Sequence, residues 1–305
     1  MQIATMTVDG LAIRVGRSAV SSPATPLLVF NGIGASLELV KPFTEAMHRE
    51  GFPSVIFDMP GVGGSETPAL PYRLSRLARL ADHLLHDLGI DGPVDVLGVS
   101  WGGGLAQEFV HQYPARCRRL VLAATSAGVV MVPGRWSALS KMINPRRYID
   151  QDFMTKFGGD LYGGKYRDNA DILREHARHM TPPTGKGYLW QMLAAAGWTS
   201  VLWLHRIRQP TLVMMGEDDP IVPVINGRIL TSLLPNARLF TIDDGHLFLL
   251  SRIEDIVPII RDFLRQSDAE AAITMPGSTR GSVPVLQRAN AVELRVSQKS
   301  SSCET

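Results

Sequence analysis

The chain has 305 residues, 45 % apolar and 20 % charged, with a formal net charge of +2. That balance fits a globular chain able to bury a large core, and it excludes a nucleic-acid surface built on excess basic charge. No stretch approaches about 18 continuous apolar residues, so no membrane-spanning helix is expected; the longest candidate, over 189–204, is interrupted by Gln191, Gly197, Thr199 and Ser200. Two cysteines, Cys117 and Cys303, argue against a disulfide framework and fit a reducing compartment. The N-terminus lacks a basic segment followed by an apolar one, so no signal peptide is read there.

In chain order, the opening M-Q-I-A-T-M-T-V-D-G reads as a strand. P-L-L-V-F over 26–30 reads as a buried strand, followed by the glycine-rich turn N-G-I-G-A-S, and 54–57 as the next strand. Leu77, Leu80, Leu84 and Leu88 mark a helix over 74–88. Residues 94–99 read as a strand, and 102–113 as a helix stopped by Pro114. Further strands are read over 120–124, 211–215 and 237–242, and a helix over 247–264. Strands alternating with crossover helices predict an α/β architecture: a mostly parallel sheet with helices on both faces.

That rhythm breaks over 128–205. The stretch holds Trp136, Trp190, Trp198 and Trp203 and four of the six tyrosines. It reads as a mainly helical cap inserted into a core formed by 1–127 and 206–266. From 267 to 305 the chain is rich in Ser, Gly, Ala, Arg and Gln and has no aromatics, so a disordered tail is expected.

The segment V-D-V-L-G-V-S-W-G-G-G, 94–104, runs from a strand through G-x-S-x-G into a helix. The segment resembles the nucleophile elbow of the α/β-hydrolase fold, a turn so tight that flanking side chains would clash; Gly98 and Gly102 would remove them and leave the Ser100 hydroxyl exposed. The bare motif also occurs at ordinary strand-to-helix turns, and the flanking elements set this one apart. The Trp101 N–H then points to where an oxyanion would form. A serine needs a base to take its proton, and a carboxylate to hold that base; chain order in this fold is Ser, acid, His. His246, in D-D-G-H-L-F after the last strand, is the candidate base. His48, His83, His86 and His111 read as solvated helix positions. The acid follows the strand at 211–215, where Glu217, Asp218 and Asp219 compete; Pro220 stiffens the turn behind Asp219. Asp243 and Asp244 read as loop or capping residues. The second oxyanion donor belongs to N-G-I-G-A-S: Ile33, with Gly34 as competitor and Asn31 bracing the loop.

No cofactor or metal is expected. G-V-G-G-S lacks the ending of a phosphate loop, N-G-I-G-A-S lacks the third glycine of a dinucleotide fingerprint, and His176 and His179 have no third ligand at useful spacing.

Taken together, N-G-I-G-A, F-D-M-P-G-V-G-G-S, G-V-S-W-G-G, L-V-L-A-A-T-S-A-G, M-V-P-G, N-P-R-R-Y, G-W-T-S, Q-P-T-L-V and I-D-D-G-H-L-F-L resemble the intracellular poly(3-hydroxyalkanoate) depolymerases of medium-chain-length type, over about Pro26 to Leu264. The resemblance implies a cytoplasmic serine esterase with the triad on Ser100, Asp219 and His246. It implies an apolar polyester substrate met at a storage-granule surface and released as 3-hydroxy acids or oligomers. A carboxylesterase, lipase or C–C hydrolase acting on small substrates would carry the same triad, as would a cofactor-free perhydrolase or haloperoxidase. Trp190, Trp198 and Trp203, with Asn31, are the candidate substrate-binding residues; packing inside the cap is the competing reading of the tryptophans. Because every triad candidate lies outside 128–205, the catalytic geometry is expected not to depend on the cap.

Overall fold

The computed structural model describes residues 1–18, 24–144, 150–169, 171–174, 181–266 and 294–296. Its strands are β1 (Gln2–Val8), β2 (Leu11–Arg17), β3 (Leu27–Phe30), β4 (Ser54–Phe57), β5 (Val94–Val99), β6 (Cys117–Ala123), β7 (Thr211–Gly216), β8 (Ala237–Ile242) and β9 (Leu294–Val296). The helices are α1 (Leu37–Arg49), α2 (Leu74–Asp87), α3 (Trp101–Gln112), α4 (Trp136–Ile143), α5 (Gln151–Tyr162), α6 (Lys165–Asp168), α7 (Gly185–Ala195), α8 (Ile225–Leu233), α9 (Phe248–Ser251) and α10 (Ile253–Arg265). One sheet takes the order β1-β2-β4-β3-β5-β6-β7-β8-β9. The β1–β2 and β2–β4 pairs are antiparallel, and the remaining pairs are parallel.

Every residue of β3, β4, β5 and β7 is buried. Helices cover both faces of these strands, so they read as near-continuous apolar runs instead of alternating ones, with Asp95 of β5, paired to Arg118, the charged exception. One core lies between the sheet and α2, α3 and α8; the other lies under α1, α9 and α10. The opening strand is one arm of a hairpin. Asp9 and Gly10, at φ 50° and 78°, make the turn into β2, a second strand beyond the one expected there.

Two further expectations change. The single helix over 247–264 is divided into α9 and α10 at Arg252, whose φ of −129° leaves the helical region and whose guanidinium donates to the Asp243 carbonyl at 3.0 Å. Within the segment expected to lack structure, 294–296 pairs in parallel with β8 at the sheet edge. The rest of 267–305, with Cys303, lies outside the described residues, as do His176, His179 and the Pro-Arg-Arg-Tyr of N-P-R-R-Y.

Between β6 and β7 the described residues form α4 to α7. The excursion closes on itself: Gly128 and Thr199 form an antiparallel bridge, and the Val129 N–H donates to the Trp198 carbonyl at 2.9 Å.

Candidate active site

Ser100 sits between β5 and α3 with φ 53° and ψ −120°, a conformation that strains a residue carrying a Cβ. The surroundings impose it. A Cβ on Gly98 would lie 2.6 Å from the Ala106 methyl and 2.7 Å from the Gly103 Cα; one on Gly102 would strike the carbonyl oxygens of Phe30 and Asn31. The turn is tied on both sides, since the Ser100 N–H donates to the Ala123 carbonyl at 2.9 Å and the Thr125 hydroxyl donates to the Ser100 carbonyl at 2.7 Å.

The three acids after β7 have separate partners. Asp219 turns Oδ2 to His246 Nδ1 at 2.7 Å, while its Oδ1 accepts the Ile221 and Val222 N–H groups at 2.8 and 2.9 Å. Asp218 faces away, accepting the Gly164 N–H at 2.8 Å and Arg167 Nη2 at 2.7 Å. Glu217 accepts the Thr241 hydroxyl at 2.9 Å. The far nitrogen of the ring, His246 Nε2, lies 3.0 Å from Ser100 Oγ. With Nδ1–H donating to the carboxylate, Nε2 is left as the acceptor for the serine proton. His246 and Asp219 are both buried. Asp244 is a loop brace, accepting from Lys165 N–H at 2.8 Å and the Ser251 hydroxyl at 2.6 Å.

The cap holds the loops that carry these groups, contrary to the independence expected from the sequence. The Tyr162 carbonyl, at the end of α5, accepts the His246 N–H at 2.7 Å, and the Pro220 carbonyl accepts the Arg135 N–H at 2.7 Å. A side chain on Gly245 would collide with the Tyr162 carbonyl oxygen, and one on Gly164 with the Asp244 carboxylate, so the backbones touch directly. Burial works against the Asp218 carboxylate, yet the Gly164 N–H and the Arg167 guanidinium outweigh it and hold its pKa below the usual range. This tie is therefore in place above the ordinary carboxylate range and is lost as the pH falls through the lowered pKa.

In front of Ser100 opens a mainly apolar cavity. Its walls include Ile33 from the loop after β3, Leu39 and Val40 from α1, Met142 and Tyr162 from the cap, and Leu250 from α9. Asn31 also lines it and braces the loop as expected, its amide donating to the Ser36 carbonyl at 2.8 Å. The Gly34 N–H, the competing donor, is given to Gln191 Oε1 at 2.7 Å; Ile33, which lines the cavity together with Ser100, stays the candidate donor. Trp101 opens α3 beside Ser100.

Trp190, Trp198 and Trp203, the candidate substrate-binding tryptophans, are not among the residues that line this cavity. Each is drawn to the core by its ring. The Trp190 indole donates to the Pro68 carbonyl at 3.0 Å, the Trp198 indole to Glu108 Oε2 at 2.8 Å, and Trp203 stacks on His111 with centroids 4.2 Å apart. A half-buried indole N–H needs an acceptor, and the core supplies it. The cap residues that do reach the cavity, Met142, Tyr162 and Thr181, carried no distinguishing signal in the sequence.

Among the described residues no group of three or more His, Cys, Asp or Glu side chains is placed to hold a metal ion, and no helix is long and apolar enough to cross a membrane.

Residues 25–252 match the family model of the alpha/beta hydrolase fold, and the chain belongs to that family. Solved structures share the fold: a hydrolase from Pseudomonas aeruginosa PA01 superposes with a TM-score of 0.73 at 24 % identity, covering 87 % of this chain and 98 % of that one. The enol-lactonase from Burkholderia xenovorans LB400 does so with a TM-score of 0.73 at 20 % identity, covering 86 % and 100 %. Within the family the chain groups with poly(3-hydroxyalkanoate) depolymerase. Over 277 residues it is 48 % identical to that enzyme of Ectopseudomonas oleovorans, which covers 91 % of this chain and 97 % of the relative. The 2-hydroxymuconate semialdehyde hydrolase of Pseudomonas putida is 30 % identical over 70 % of this chain and 76 % of its own.

Proposed function

We propose that the protein is a serine esterase that hydrolyses the ester bonds of poly(3-hydroxyalkanoate), releasing 3-hydroxy acids or short oligomers at the surface of storage granules in the cytoplasm. The observation that carries the chemistry is the hydrogen-bonded line from Ser100 Oγ through the His246 ring to Asp219, at 3.0 and 2.7 Å, at the edge of an apolar cavity. The substrate class rests on the 48 % identity to the depolymerase over nearly the whole chain.

In this reading His246 Nε2 takes the Ser100 proton as Oγ attacks the ester carbonyl carbon, and the carbonyl electron pair moves to oxygen. The N–H groups of Ile33 and Trp101 meet the resulting oxyanion, each contributing about 3–4 kcal/mol to the transition state. Collapse breaks the bond to the 3-hydroxy oxygen of the leaving chain, which receives the proton from the imidazolium. Water then attacks the acyl-enzyme by the same route, with His246 again the base, and frees the acid. Asp219 holds the ring tautomer and offsets the imidazolium charge. The apolar walls from α1, α9 and the cap suit the alkyl side chain of a hydroxyalkanoate.

The test is acid release from medium-chain and short-chain polyester granules, run beside p-nitrophenyl esters of graded length. Release from granules supports the depolymerase reading. Turnover confined to small esters, with granules untouched, favours the carboxylesterase alternative.

A further inference from the structure

Helix α7 carries its polarity the wrong way round for a surface helix. Leu189, Met192 and Leu193 are exposed, while Gln191 is completely buried. A buried amide is expensive to keep unless its hydrogen bonds are used, and a Met or Leu of similar size would suit an apolar interior better. One of its bonds reaches across 157 residues: Oε1 accepts the Gly34 N–H at 2.7 Å. The amide orientation follows from chemistry, because the Gly34 N–H can only donate and must face the oxygen. Nε2 is buried and finds no acceptor among the described residues. The amide is therefore placed for its acceptor. The Gln191 backbone carbonyl makes a second tie, accepting the Trp101 indole N–H at 3.0 Å. One cap residue thus touches both segments from which the oxyanion donors come.

Resting on the esterase reading above, we infer that Gln191 is a positioning residue that sets the oxyanion hole from the cap. Gly34 has φ 67°, inside a loop with glycines on both sides of Ile33, so little in the loop itself prevents its peptides from turning. Gln191 Oε1 fixes the plane of the Ile33–Gly34 peptide and keeps the Gly34 N–H directed at the cap. The preceding peptide, which carries the Ile33 N–H, is then held toward Ser100. Seating of α7 and readiness of the hole become one event. The hole donates to the oxyanion and not to the ground-state ester, so its loss appears in kcat and not in KM.

The experiment compares Gln191→Met, which keeps the shape and removes the acceptor, Gln191→Glu, which keeps an acceptor oxygen in either protonation state, and Gln191→Asn, which stays polar but is a methylene too short. Ser100→Ala serves as reference. The readouts are kcat and KM for p-nitrophenyl octanoate, inhibition by an alkyl trifluoromethyl ketone, and thermal melting. The ketone adds Ser100 Oγ at its carbonyl carbon, the serine proton passes to His246, and the carbonyl oxygen becomes the oxyanion, so its affinity reports the hole directly. Gln191→Met and Gln191→Asn are expected to lose kcat by about 10- to 100-fold, with KM little changed and ketone affinity falling by the same factor as kcat/KM. Gln191→Glu is expected to recover most of both. If Gln191→Met does not fold, the Asn and Glu pair carries the same comparison. Folded Met or Asn variants with near-wild-type kcat and ketone affinity overturn the inference. So do Met, Asn and Glu variants that all melt early and lose ketone binding alike, since that marks a packing role. An active Ser100→Ala overturns the esterase reading itself, a result distinct from either.

Discussion

Two stretches of the cap, 159–167 and 190–203, face the core in different ways. The first has a single aromatic at the contact that matters and offers mostly backbone. The Tyr162 carbonyl takes the His246 N–H, and the Gly164 N–H meets Asp218. The second holds three tryptophans, and they seat the cap on α3 and on the loop before α2. The tryptophans of the second stretch are held by the core, while the site is reached by the glycine-rich backbone on the His246 side and by the Gln191 side chain on the Gly34 side. The physical reason is that buried loops carrying an acid and a base must pair their own backbone groups, and where the pairing is to another backbone the two chains must approach closely. Large side chains hold elements at a distance; glycines let them touch.

The acids next to each other across that boundary give the largest expected contrast. Asp219→Asn favours the wrong ring tautomer and is expected to lower kcat by about 10⁴-fold, whereas Asp218→Asn, which only loosens the cap, should stay within about tenfold of wild type. Steady-state kinetics on a p-nitrophenyl ester checks this, and a dead Asp218→Asn would move the acid by one residue. Removing 128–205 with a short linker is expected to lower even acetyl-ester turnover by about 10²-fold or more, because the His246 and Asp219 loops lose their supports. A folded truncation that cleaves p-nitrophenyl acetate normally would undo the distinction between the two stretches. The smallest effect on activity belongs to the anchors. Trp198→Ala and Trp203→Ala are expected to destabilise by up to about 3–5 kcal/mol, read by denaturant melts. Their ratio of kcat/KM for long over short acyl esters should be unchanged; a selective loss on long esters would return these rings to the cavity.

The parts legible in the sequence are those where backbone geometry dictates residue type. Gly98 and Gly102 announced the elbow because no other residue fits beside Ser100. Pro220 marked Asp219, and Gly245 marked His246, each at a strand end. Strands buried on both faces declared themselves as apolar runs. The cavity wall was not legible, because Met142, Tyr162 and Thr181 reach it only through the packing of helices without a repeating pattern. Tryptophan enrichment did not decide, since an aromatic ring serves an anchor as well as a pocket. Gln191 was visible only as an interruption of an apolar stretch; its meaning lay in Gly34, far away in sequence. The turn at Arg252 and the pairing of 294–296 likewise depend on partners the local sequence does not name.

The most direct measurement is release of 3-hydroxy acids from medium-chain polyester granules by the wild-type protein and by Ser100→Ala, with both shown to melt at similar temperatures. The wild type is expected to release acid, and Ser100→Ala to fall by about 10⁶-fold, the loss typical when a triad nucleophile is removed. Granules left intact by the wild type, or acid released at a comparable rate by a well-folded Ser100→Ala, would contradict the account.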